Sequence, residues 1–143
     1  MKIYVEKVLD EVVYFSTDYG RAKGIWKGNN IQIDKVYYVE MDIDMLCDYD
    51  SFVLCDTKEY HIEMVDENIQ LTLLLLEYDE DGCATFQFGD SIIEIETNFD
   101  ERFYALKNSY VIISVEKLNI YDEILSLPKG FDTLLGEKGQ NLS

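Results

Sequence analysis

Carboxylates supply most of the chemistry available to this chain. Asp42, Asp44, Asp48 and Asp50 are packed into MDIDMLCDYD. Several oxygens at such spacing are what a hard cation such as Ca²⁺ requires. The EF-hand order D-x-[DN]-x-[DN]-G is missing, however, and no glycine follows the acids. A solvated strand face running into a loop explains the spacing without a metal. Glu94 and Glu96 form a second pair, in SIIEIET. Paired carboxylates serve glycosidases and aspartic proteases when their surroundings separate their pKa values. Here they alternate with Ile93 and Ile95, as the exposed face of a strand requires. A third group, Asp79, Glu80 and Asp81 before Gly82, has the composition of a hairpin tip.

Nucleophile chemistry finds less support. His61 is the single histidine and stands in EYHIEMV, with Glu59 and Glu63 two residues to either side. A Cys–His pair would need one of Cys47, Cys55 or Cys83 brought beside it by the fold, and no local cysteine motif announces this. Cys47 and Cys55 are spaced for neither C-x-x-C redox chemistry nor a zinc site, so buried free thiols are expected. No metal or cofactor is predicted. Tyr19, Arg21, Lys23, Trp26 and Lys27 interleave aromatic and basic residues, a mixture that can stack and hold single-stranded nucleic acid. The GIWKG stretch within it lacks the phosphate-loop and dinucleotide fingerprints.

Strands must position these residues, because the dominant hydrophobic period is two. In VYYVEMDID (36–44), Tyr37, Val39, Met41 and Ile43 share one face, while Val36, Tyr38, Glu40, Asp42 and Asp44 share the other. Further strands are expected near 2–8, 11–17, 22–27, 51–55, 59–65, 69–78, 83–88, 91–97 and 109–121. Asp81-Gly82 and Gly89-Asp90 are tight-hairpin dipeptides, so residues 70–97 read as a three-stranded meander. The leucine run in IQLTLLLLEY suits a strand or a short helix, and its neighbours favour the strand.

The expected fold is all-β and antiparallel, with about ten strands over 1–122. A possible repeat relates halves 1–66 and 67–122. Val5, Asp10 and Phe15 parallel Leu76, Asp81 and Phe86 at an offset of 71, and 36–48 parallels 110–122 at an offset of 74. Two tandem five-stranded barrels of OB or SH3 type would result; one sandwich or curled barrel is the alternative. Residues 123–143 read as a tail, with a short helix at 131–136.

The net charge of −17 is regional. Residues 37–101 hold 19 acids and only Lys58 as a base, whereas residues 1–36 hold six bases and five acids. Such a block repels nucleic acid and anionic membrane and favours cationic partners. Three cysteines, no secretory signal and no long apolar run place the chain in the cytoplasm. The expectation is a non-enzymatic, acidic protein-binding module, immunity- or antitoxin-like, or an inhibitor of a basic partner. The acids named above would make the contacts, with Tyr38, Tyr49 or Tyr78 as apolar anchors. The alternatives are a small-ligand-binding or enzymatic barrel with a Tyr/Trp-lined pocket, a nucleic-acid-binding barrel, and association through strand edges.

Overall fold

A computed structural model describes residues 1–123. The fold is all-β, with eleven strands. They are β1 (Lys2–Leu9), β2 (Val12–Thr17), β3 (Gly20–Trp26), β4 (Val36–Asp42), β5 (Phe52–Leu54), β6 (His61–Val65), β7 (Asn68–Tyr78), β8 (Cys83–Phe88), β9 (Ser91–Glu96), β10 (Tyr110–Val115) and β11 (Asn119–Asp122). Two 3₁₀ turns, Tyr49–Ser51 and Glu101–Leu106, lie between them.

Five strands close a barrel in the order β1-β2-β3-β11-β4 and back to β1. Closure depends on β11, which runs antiparallel to β4 and parallel to β3. The sheet is therefore mixed, which corrects the purely antiparallel expectation. A strand arriving from the far end of the chain can lie in either direction, and only hairpin neighbours are forced to be antiparallel. The β3–β6 contact at Gly20 and Ile62 and the Cys47–Thr97 bridge are also parallel.

The remaining strands pack onto this barrel. Strand β7 is central: it pairs with β6, with β10 and, in a pairing interrupted by a bulge, with β8. Its LTLLLL tract is buried on both faces over Leu71–Leu73, and beyond it Leu75 is buried while Leu74 and Leu76 are half-buried. The meander β7-β8-β9 forms as expected. The strand expected over 109–121 is two, broken at Glu116–Lys117–Leu118 so that β10 and β11 join different neighbours. The alternation in β4 is as read: Val39, Met41 and Ile43 are buried and Tyr38 and Glu40 exposed. A single core runs through the molecule, with Phe15, Phe86, Phe88 and Phe103 its largest fully buried side chains.

Register repeats between the two parts. In the first, Tyr4 faces Val36, Val5 faces Phe15, and a bulge follows Val5. In the second, Leu74 faces Tyr110, Leu75 faces Phe86, and a bulge follows Leu75. The expected helix at 131–136 lies outside the described residues.

Candidate functional site

The seam between β4 and β9 is a groove walled by carboxylates. The outward side chains of β4 at this seam are Glu40 and Asp42, and those of β9 are Ile92, Glu94 and Glu96. After Asp42 the chain crosses toward β9. Its Cys47 amide donates to the Glu96 carbonyl (2.9 Å), and the Asn98 amide donates to the Cys47 carbonyl (2.9 Å). This crossing carries Asp44, Met45 and Leu46 along the groove wall.

Two neighbouring hollows make up the groove. One, of about 420 Å³, is lined by Asp42, Ile43, Asp44, Met45, Leu46, Cys83, Glu94 and Glu96. Four of these eight are carboxylates, and none is basic. The other, of about 350 Å³, is lined by Met1, Glu40, Asp90, Ser91, Ile92 and Glu123. Among the described residues its cation is the Met1 amino group, which donates to the Val39 carbonyl at 2.9 Å and lies 3.5 Å from Asp90. Glu40 and Asp42 are successive outward residues of one strand, and Ile92 and Glu94 of the other, so the two hollows adjoin along the seam.

The Cys83 thiol reports the field in this groove. Burial pushes its pKa up first, and Glu94, Asp79, Glu96 and Asp81 push it further. A thiol held protonated this way is a poor nucleophile. Cys47 is buried, and its pKa is raised by burial and then by Asp48. All three cysteines are free.

The carboxylate cluster of MDIDMLCDYD is divided by the fold. Asp42 and Asp44 face the groove. Asp48 accepts a hydrogen bond from the Asn98 side chain, and Asp50 lies near Arg102. These two line a separate hollow of about 350 Å³ with Tyr49, Ser51, Asn98, Phe99, Asp100 and Arg102. Arg102 forms an ion pair with Asp100 at 2.7 Å and lies 4.1 Å from the Tyr49 ring centroid. That bond holds the Asp100 carboxyl below the usual carboxylate range. Asp79 is a turn residue, accepting the amides of Asp81 and Cys83 at 2.9 Å each. Glu80 and Asp81 are exposed at the same tip. Among the described residues no group of three or more His, Cys, Asp or Glu could hold a metal ion.

The other sequence candidates scatter. His61 opens β6, half-exposed and 3.6 Å from Glu63, and lines neither hollow of the groove. The strand pleat sends Trp26 inward and Arg21 and Lys23 outward. Trp26 is only 8% exposed; its indole N–H donates to the Asn29 carbonyl and its ring meets Tyr37. Arg21 lies 3.4 Å from Glu6. Tyr19 packs between Tyr60 and Phe88, and Lys27 is exposed beyond the strand. The aromatic and basic members of this group thus do not share a face. Of the suggested anchors, Tyr38 is exposed, Tyr49 half-buried and Tyr78 buried. The sequence reading passed over Met45, Leu46 and Ile92, which put exposed apolar surface beside the acids. It also passed over Phe99 and Tyr104, exposed near the Glu101–Leu106 turn.

No helix among the described residues is long and apolar enough to cross a membrane. No protein-family model, curated protein or solved structure matches the chain.

Proposed function

We propose that the protein binds a cationic protein partner through the groove between β4 and β9. One observation carries this reading: Asp42, Asp44, Glu94 and Glu96, from distant parts of the sequence, line one hollow with no base among its described lining residues. A concave surface of one sign focuses its field and speeds encounter with the opposite sign. Exposed Leu46 and Ile92 beside the acids supply the apolar area that a protein interface uses and a small ion does not. The size and charge suit an immunity- or antitoxin-like inhibitor of a basic protein.

The groove also has a structural origin in this proposal. We infer that the chain is two copies of one five-stranded unit that exchange their fifth strands. Strands β1-β2-β3-β4 correspond to β7-β8-β9-β10, with bulges and cross-strand partners in matching places. In the first unit the fifth strand is β11, parallel to β3 and antiparallel to β4. In the second it is residues 47–54, parallel to the end of β9 at Thr97 and antiparallel to β10 through β5. That order suits a five-stranded Greek-key barrel of OB type. Neither 1–66 nor 67–122 then holds a complete barrel, and the first crossing becomes the groove wall.

The test is capture from a lysate of the source organism at low salt, with graded salt elution. The control carries Asp42→Asn, Asp44→Asn, Glu94→Gln and Glu96→Gln. One basic protein retained by the natural chain, released by salt and lost by the control is the expected result. Retention unchanged in the control, or no specific protein at all, overturns the reading.

A further inference from the structure

Two large aromatic side chains meet on the surface. Phe99 and Tyr104 are 51% and 47% exposed, with ring centroids 6.1 Å apart at an interplanar angle of 63°. Isolated exposed apolar residues are ordinary, but grouped ones mark contact sites. Buried Tyr78 holds both rings, at 5.7 Å from Phe99 and 5.3 Å from Tyr104. The Tyr78 hydroxyl bonds Thr97 Oγ1 at 2.8 Å and accepts the Asp100 amide at 3.0 Å. Thr97 Oγ1 in turn donates to the Gly82 carbonyl at 2.7 Å. Tyr78 is therefore a fixed support beneath both rings, which lowers the ordering cost of binding.

The same bonds hold Gly82, at the base of the acidic hairpin tip, beside the backbone of Thr97 and Phe99. A Cβ at Gly82 would fall 3.4 Å from the Phe99 backbone nitrogen. Glu80 and Asp81, on that tip, make no ion pair among the described residues. The nearby cations are already engaged, Arg102 with Asp100 and Lys107 with Glu77 at 3.1 Å. On its other side the tip leads through Cys83 to its cross-strand partner Glu96, in the groove wall.

We infer that Phe99 and Tyr104 form a platform for an arginine side chain of the same cationic partner. The planar guanidinium stacks on one ring and meets the other at an angle, with its charge toward Glu80 and Asp81. The inference rests on the groove reading and adds a second contact to it. Arginine fits better than lysine because a delocalised, weakly hydrated plane stacks on an aromatic face. The chain already contains this arrangement in Arg102 over Tyr49.

Tetra-arginine and tetra-lysine peptides titrated into the isotope-labelled full chain test the platform. The readouts are the aromatic resonances of Phe99 and Tyr104 and the two dissociation constants. Tetra-arginine is expected to bind about two- to fivefold more tightly and to shift both rings. The exposed substitutions Phe99→Leu and Tyr104→Leu keep apolar area, and the amide spectrum checks the fold. They should abolish the arginine preference and leave lysine binding as it was. Neutralising the four groove acids should weaken both peptides alike. Equal affinities, or a preference that survives the leucine substitutions, overturns the platform. Binding of both peptides without ring shifts also overturns it and leaves the groove standing. Binding of neither peptide overturns both.

Discussion

Neutralising the groove should make the protein more stable. Glu94 and Glu96 sit two residues apart on one strand face, which places their carboxylates roughly 7 Å apart. Asp42 and Asp44, also two residues apart, line the opposite wall. Two like charges at that separation in water repel by about 0.6 kcal/mol. At 0.15 M salt the screening length is about 8 Å, which leaves about 0.25 kcal/mol per pair. Repulsion across the groove adds to both pairs. Replacing all four by Asn and Gln should therefore raise unfolding stability by on the order of 1–2 kcal/mol at 10 mM salt, and by less than half of that at 0.15 M. Urea denaturation at the two salt concentrations measures this as a shift in midpoint at unchanged slope. A quadruple variant no more stable than the natural chain at low salt would refute the reasoning. So would a gain that persists in 0.5 M salt. Either result means that the acids are individually solvated and generate no shared field for a partner to meet.

Gly20→Ala should cost about 3 kcal/mol or more. Gly20 has φ +138°, and a Cβ there would fall 1.9 Å from the Ile62 backbone oxygen, so either β3 or β6 must move; thermal melting reads the loss. Ile120→Ala should cost about 2–5 kcal/mol, because Ile120 is fully buried in the strand that closes the barrel and packs over Gly24; hydrogen exchange should open β3 and β4 together. Cys83 should react slowly with a dianionic thiol reagent and faster once Glu94 and Glu96 are neutral, while a neutral reagent shows a smaller difference. Its raised pKa also sets a sign: the folded state keeps the proton after the unfolded chain loses it, so this group's contribution to stability falls as pH rises from the unfolded to the folded value. Trp26 is the single tryptophan and is sealed under Tyr37, so its emission should not change when a single-stranded oligonucleotide is added; quenching would reinstate the basic stripe.

Local pattern carried much of the fold. The faces of β4 and β9 followed from alternation, because one side of each meets the core and the other meets water. The meander followed from two turn dipeptides. The course of β11 did not follow from pattern, since Asn119–Asp122 pairs with residues about 80 and 95 positions earlier, and no local preference encodes such a partner. The four groove acids were legible as outward residues on two strands. That the strands lie side by side was not. Phe99 and Tyr104 escaped because NFDERFYALKN has no period, and exposure there depends on Tyr78 filling the space beneath.

The inferred exchange explains why charge would collect at this seam. A five-stranded unit that borrows its fifth strand leaves a crossing segment between the units, and that segment cannot be buried on both sides. Ile43 and Cys47 turn inward and are nearly fully buried, while Asp44 and Leu46 are left facing out. The crossing fixes their positions, since the Cys47 amide donates to Glu96 of β9 and its carbonyl accepts from Asn98, just past that strand. Repulsion within the groove is therefore held by backbone bonds and core packing and cannot relax by moving the wall. Repulsion of that kind is relieved when an opposite charge enters, so under the proposed function the seam is where a basic partner would gain most.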